Sequence, residues 1–230
     1  MRDSVCALVS GGLDSCVMLA ELARGRSCHP ERSERSPVIC PVFIRQGLIW
    51  EETELHHLRR FLRALAASSL TTHYSPLTVL DLPVRDLYGN HWSITGRGVP
   101  GKTSPDLAVC LPGRNLLLLS KVAVFCARHN IGTIAIGSLR GNPFPDATSS
   151  FFRQFAAVAG RSLGCRLRVV APLRGLTKEQ VIRRGRDLPL RLSFSCFAPR
   201  RGRHCGSCNK CAERQKAFRR AGAVDKTRYL

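Results

Sequence analysis

The 230-residue sequence predicts an α/β fold: a doubly wound parallel sheet of five strands covered by helices. Three observations predict it. Short runs rich in branched or apolar residues recur at residues 5–9, 38–44, 70–74, 133–136 and 167–170. Helical periodicity fills most of the intervals between them. The first run also passes directly into a glycine turn and then a helix, in the order strand, loop, helix.

Along the chain, residues 5–9 read as the first strand, Ser10-Gly11-Gly12-Leu13-Asp14-Ser15 as the turn, and Val17, Leu19, Ala20 and Leu22 as the helix behind it. Residues 25–37 carry the near-repeat Glu31-Arg32-Ser33-Glu34-Arg35-Ser36 and predict a polar, low-complexity surface loop. The clearest helix covers 51–67. Leu55, Leu58, Phe61, Leu62 and Leu65 share one face, with Glu52, His56, Arg59, Arg60 and Arg63 mostly on the other. Residues 81–112 are rich in Gly and Pro and include Tyr88 and Trp92; a stretch this long reads as a lid, a binding loop or a disordered segment. Residues 116–128 predict a buried helix. Thr148 ahead of Phe151, Phe152, Phe155 and Val158 predicts a capped one, and Thr177-Lys178-Glu179-Gln180 reads as a capping box. No internal repeat is evident.

Composition bounds the function classes. Hydrophobic residues at 44% and charged residues at 23% describe a globular chain and not a disordered one. The net charge is +20, and residues 153–228 hold 20 Lys plus Arg against Glu179, Asp187, Glu213 and Asp225, so +16 of it lies in the last third. Such a field favours polyanions such as nucleotides, RNA or an acidic protein surface, or it is a solvated arginine-rich surface. No secretory leader is expected, because the apolar run 5–9 is followed at once by glycines and Asp14. No membrane span is expected either, since the most apolar stretch, 116–127, is short and broken by Ser120 and Lys121. Seven of the 11 cysteines are scattered singly, mostly in apolar runs, which fits a reduced cytoplasm better than a disulfide framework.

Two motifs carry chemistry. In Ser10-Gly11-Gly12-Leu13-Asp14-Ser15, two glycines let the backbone approach an anion while the amides and positive end of the next helix point at it. Ser10 and Ser15 add hydroxyls, and Asp14 is placed to hold Mg²⁺ or to orient the loop. The structural alternative is a simple turn capped at Asp14. A competing string, Gly96-Arg97-Gly98-Val99-Pro100-Gly101-Lys102-Thr103, satisfies Walker A spacing. It is set aside because its preceding strand is weak and any helix after it has room only until Pro112-Gly113. No apolar strand ending in Asp offers a Mg²⁺ partner for it either.

The second motif is Cys196, Cys205, Cys208 and Cys211. The last three form a C-x-x-C-x-x-C run, Gly206 permits its tight turn, and Cys196 completes a tetrahedron from upstream. Four sulfurs close the coordination shell, so the expected ion is structural Zn²⁺. An iron–sulfur cluster, a redox pair, or His204 in place of a cysteine are the alternatives.

The glycine string resembles the pyrophosphatase loop of the N-type ATP pyrophosphatases, which implies transfer of AMP to an oxygen. With the cysteines, the chain resembles the 7-cyano-7-deazaguanine synthase (QueC) family nearly end to end. Beyond the glycine string, the likeness rests on Leu111-Pro112-Gly113-Arg114-Asn115, on Asn142-Pro143-Phe144-Pro145-Asp146 and on Leu176-Thr177-Lys178-Glu179. Ser195-Cys196, His204-Cys205-Gly206, Cys208, Cys211 and Arg214 complete it. The resemblance implies an adenine-nucleotide-hydrolase-like sheet, with an ATP-binding domain over residues 1–190 and a zinc-binding region over 191–230 packed on it. It implies an ATP-dependent ligase that adenylates 7-carboxy-7-deazaguanine, forms the amide with ammonia and dehydrates it to the nitrile with further ATP.

ATP, Mg²⁺ and Zn²⁺, a homodimer and a cytoplasmic location follow from the same resemblance. Arg114 and Lys178 are then the cations for charge developing on phosphate, and Asp146 the group that receives protons or binds the base. Surface and capping roles are the alternatives for Arg114 and Asp146. Ile44-Arg45-Gln46-Gly47-Leu48-Ile49-Trp50 departs from the family's aromatic-Gly-Gln-Arg-His string, and 89–112 departs as well. A divergent ligase with another amine or a protein as acceptor is therefore a second reading. A tRNA-modifying relative is a third, and a zinc-knuckle nucleic-acid binder without catalysis, which leaves the glycine loop unexplained, is a fourth.

Overall fold

Residues 4–25, 37–68 and 74–230 are described by a computed structural model. Strands β1 (Ser4–Leu8), β2 (Val38–Arg45), β3 (Thr78–Asp81), β4 (Thr133–Ile136) and β5 (Arg168–Val170) form one sheet in the order β3-β2-β1-β4-β5. Every pairing is parallel. The two-residue period of a strand sends Val5, Ala7 and Val9 to one face with Ile39, Phe43 and Ala135. Cys6 and Leu8 go to the other face with Val42, Ile44, Ile134 and Ile136. Pro41 lies inside β2, opposite Ala7 of β1, but β3 pairs with β2 only from Val42 onward, so no ladder bond to β3 is lost at the proline.

Helices cover both faces. On the first lie α1 (Leu13–Ala23), α2 (Glu51–Ala66), α7 (Lys178–Arg184) and α8 (Asn209–Ala221), contributing Met18, Leu58, Phe61, Ile182 and Phe218 to the core. On the second lie α5 (Arg114–Arg128) and α6 (Ser149–Leu163), through Leu119, Val122, Cys126 and Phe152. α1 is buried along almost its whole length because it lies between the sheet and the helices α2 and α7. Thr148 caps α6 by accepting from Phe151 N at 3.1 Å, and the Thr177–Gln180 capping box forms at α7.

Two expectations change. The third strand falls at Thr78–Asp81, while Tyr74 makes only an isolated bridge to Ile39 and residues 70–73 lie outside the described residues. Leu77 to Leu80 is the more apolar run, framed by Pro76 and Pro83, and its register lets Leu82 N donate to Arg45 O. The segment 81–112 is ordered, with two short helices, α3 (Arg85–Tyr88) and α4 (Trp92–Thr95). Its Val84, Trp92, Val99 and Leu111 pack with Trp50, Phe194 and the C-terminal cysteines in a third cluster. Most of the predicted 25–37 loop, residues 26–36, also lies outside the described residues.

Candidate active site and metal centre

The strand order reverses at β1, so the carboxyl ends of β1 and β4 bound a crevice of the kind where open α/β sheets bind ligands. The glycine turn sits at its floor. Gly11 has φ +83°, and a Cβ there would meet Glu54 O at 3.0 Å and Leu58 Cβ at 3.1 Å, so both conformation and packing require glycine. Gly12 caps α1 without a side-chain bond, and the first-turn amides of Leu13, Asp14 and Ser15 have no intrahelical acceptor. Ser15 Oγ donates to Gly12 O at 3.0 Å and Gly12 N to Ser10 Oγ at 3.2 Å, which fixes the curve of the turn. The crevice holds about 190 Å³, and its walls bring Ser10, Gly12, Asp14 and Ser15 opposite Arg114, Asn115, Glu54 and Gly137.

Arg114 opens α5 behind Gly113, whose φ of +69° turns the chain into the helix. Its Nε donates to Gln46 Oε1 at 2.9 Å, and it makes no ion pair among the described residues, so the guanidinium keeps donors for the crevice. Gln46 is held in turn: Glu51 carboxylate oxygens accept from the amides of Gln46, Gly47 and Leu48 at 2.7–3.1 Å. The departure at 44–50 therefore builds a rigid support for Arg114. Asp146 Oδ2 accepts from Asn115 N at 2.9 Å and its Oδ1 from Asn115 Nδ2 at 3.2 Å. Both of its oxygens are thus engaged at the start of α5, behind the crevice wall.

Asp14 and Lys178 meet. Lys178 Nζ lies 2.9 Å from Asp14 Oδ2 and 2.7 Å from Glu213 Oε1, and Lys210 reaches Glu213 at 2.6 Å. Burial works against the Lys178 charge, but the two carboxylates hold its pKa above the ordinary lysine value. Burial likewise works against the Glu213 anion, yet Lys178 and Lys210 bring it down to about 2. Asp14 Oδ1 is buried without a partner among the described residues. An unpartnered carboxylate oxygen at the rim of a phosphate-sized cradle suits a cation or a donor group.

The four cysteine sulfurs lie within 4.8 Å of one another. Cys205 Sγ to Cys211 Sγ is 3.9 Å and Cys208 Sγ to Cys196 Sγ is 4.0 Å. A tetrahedral Zn²⁺ with Zn–S of about 2.3 Å places its sulfurs about 3.8 Å apart, so the donor set fits. Backbone amides of Cys205, Ser207 and Cys208 donate to Cys196 and Cys205 sulfurs at 3.2–3.4 Å, which stabilises thiolate charge. His204 is no member of the cluster: its Nε2 accepts from Ser195 N at 3.1 Å, and burial, with Arg214 nearby, pushes its pKa down to about 3. The Walker-like segment serves this region, since Gly101 bridges Cys208 and Asn209 bonds Pro100 O and Ser104 O. Only a short 3₁₀ turn at Asp106–Val109 follows it before α5. Arg214, 2% exposed, donates to Ser193 Oγ, Leu190 O and Thr227 Oγ1 at 2.8–2.9 Å and pins the segment leading to Cys196 against α8.

Sequence reasoning missed Glu54, Glu51, Gln46 and Glu213. Glu54 is the most consequential: it is buried in the crevice wall, and burial pushes its carboxyl up to about 8 despite the pull of Arg114. The two acids Glu51 and Glu54 read in the sequence as ordinary first-turn acids of a helix.

Comparison with known proteins gives a consistent result. A family model described as "Queuosine biosynthesis protein QueC" matches residues 49–222. A 7-cyano-7-deazaguanine synthase of Methanothermobacter thermautotrophicus is 29% identical over 236 aligned positions, covering 97% of each chain. The enzyme of that name from Picrophilus torridus is 30% identical, covering 100% of this chain and 92% of its own. The 7-cyano-7-deazaguanine synthase 1 of Desulfitobacterium hafniense is 31% identical over 94% of this chain and 92% of its own.

Proposed function

Because the chain belongs to the QueC family, we propose that it is a 7-cyano-7-deazaguanine synthase, an ATP-dependent ligase that activates a deazaguanine carboxylate, amidates it with ammonia and dehydrates the amide to the nitrile. The observation that carries the reading is the crevice at the β1/β4 switch point. There the glycine turn, Asp14 and Arg114 face one another. When bound, ATP supplies the leaving group that a carboxylate oxygen lacks.

The residues divide the work by chemistry. The amides of Leu13, Asp14 and Ser15, with the hydroxyls of Ser10 and Ser15, hold phosphate oxygens. Asp14 Oδ1 holds Mg²⁺, while Lys178 fixes the other oxygen and Glu213 fixes Lys178. Arg114 stabilises negative charge developing in the crevice. Asp146 acts through Asn115 by anchoring the start of α5 that carries Arg114. Cys196, Cys205, Cys208 and Cys211 hold structural Zn²⁺ and tie residues 191–230 onto the ATP-binding unit of residues 1–190. A cytoplasmic homodimer belongs to the same proposal on the family likeness. The relatives favour ammonia over another amine as acceptor, and the stretch 44–50 that motivated the divergent reading acts as the support of Arg114.

Pyrophosphate release tests the assignment. With ATP, Mg²⁺ and 7-carboxy-7-deazaguanine but no ammonia, the chain is expected to release pyrophosphate. Asp14→Ala is expected to abolish release while leaving the circular dichroism spectrum unchanged. Full release by that variant removes Asp14 from the chemistry.

A further inference from the structure

A second concavity, of about 590 Å³, shares no lining residue with the active-site crevice. Four segments distant in sequence converge on it: α2, residues 191–192, residues 201–204, and the tail at 226–228. They bring Arg60, Arg191, Arg201, Arg203, Lys226 and Arg228 around one space with no carboxylate among the lining residues. None of these six makes an ion pair among the described residues, whereas Arg24, Arg45, Lys178 and Lys210 all do. Asp225, the acid beside Lys226 in sequence, is engaged by Thr227 N at 3.0 Å and Tyr229 Oη at 2.5 Å. Six like charges left unpaired around a concave wall repel one another and concentrate a positive potential there.

His57 gives a second, independent sign. Its two ring nitrogens face carbonyl oxygens, Leu192 O at 3.3 Å and Gly202 O at 3.1 Å. Only an imidazolium donates at both. Burial, with Arg60 and His56 adding to it, nevertheless holds this histidine below its ordinary pKa. An anion in the concavity resolves that conflict.

We propose that the concavity binds the phosphodiester backbone of a single-stranded nucleic acid. The length of the charged track favours a chain over a free phosphate: beyond the concavity, Arg59 and Arg63 continue along the exposed face of α2. The neighbouring ring of His56, exposed on the same helix, offers a surface on which an unpaired base stacks. Nothing in this proposal depends on which carboxylate the active site activates.

Fluorescence anisotropy of a short fluorescein-labelled single-stranded RNA, titrated with the full chain at several salt concentrations, tests it. Six phosphate contacts at about 0.7 each predict a slope of about −4 in log K against log salt. Arg60→Glu combined with Arg191→Glu is expected to weaken binding by at least about tenfold. Pyrophosphate release should be unchanged, because neither residue lines the active-site crevice. Lys226→Glu with Arg228→Glu is expected to do the same, and thermal melts establish that each pair folds. By contrast, Arg153→Glu with Arg161→Glu, on α6 across the sheet, should leave RNA affinity within about twofold after the change in net charge. The proposal is overturned by absence of binding at low salt, or by binding that survives both lining pairs in folded protein. It is also overturned if free ATP or polyglutamate displaces the RNA at equal charge concentration, which would assign the site to a small phosphate or an acidic polypeptide.

Discussion

Replacing Glu54 by Gln probes the crevice at a single group. The side chain is 8% exposed, and burial raises its pKa from 4.5 to about 8, against the attraction of Arg114 and with Glu51 adding to the rise. A carboxyl whose pKa is higher in the folded than in the unfolded chain makes the folded state bind the extra proton. Its stabilising effect is therefore complete below about pH 4.5 and is lost as pH climbs through 8. Full ionisation of this buried carboxyl costs several kcal/mol in the folded chain. Between pH 7 and 9 the loss is on the order of 1 kcal/mol, roughly tenfold in the folding constant. Glu54→Gln keeps the shape and a hydrogen-bond donor but cannot ionise. Urea unfolding at pH 7, 8 and 9 should show the native chain losing on the order of 1 kcal/mol relative to the variant. All other titrating groups cancel in that comparison. Parallel stability curves, within a few tenths of a kcal/mol, would mean that water reaches the carboxylate and that Glu54 is not buried in the crevice wall.

Two further outcomes follow from the C-terminal region. Elemental analysis should find about one Zn per chain, and Cys208→Ser should lower the melting temperature and metal content more than it lowers turnover by the remaining folded protein; an iron chromophore in anaerobically purified protein would contradict the zinc assignment. Arg214→Ala should cost about 3–5 kcal/mol, since it leaves Ser193 Oγ, Leu190 O and Thr227 Oγ1 without their donor in a buried site, and an effect below about 1 kcal/mol in a thermal or urea melt would contradict the clamp.

Much of the architecture was legible because strands and helices impose different periods on the same apolar residues. β4 falls at the residues its pattern marked, and α2 differs from its expected span by one residue at the C-terminal end. The third strand lies at Thr78–Asp81, where the run Leu77 to Leu80 pairs with β2; of the expected run 70–74, Tyr74 makes an isolated bridge to Ile39 of β2 and 70–73 lie outside the described residues. The glycine turn and the cysteine cluster were legible because each rests on a short string of closely spaced residues. Segment 81–112 read as a loop because its Gly and Pro content hid Trp92 and Leu111, which pack in the tertiary structure against residues far away. Glu54 was illegible for a related reason: three acids open α2, and only the helix's rotation against the glycine turn decides that Glu52 meets solvent while Glu51 and Glu54 are buried. The six basic groups around the second concavity come from residues 60 to 228, so no local pattern announces them.

The most direct test of the proposed activity is mass spectrometry of the products formed from ATP, Mg²⁺, ammonia and 7-carboxy-7-deazaguanine. A 7-cyano-7-deazaguanine synthase converts the acid to the nitrile, with the amide passing through as an intermediate and two ATP molecules consumed per nitrile. Recovery of unchanged acid at every ammonia concentration, or an amide that accumulates without conversion, would contradict the account even if the crevice binds ATP and the cysteines bind zinc.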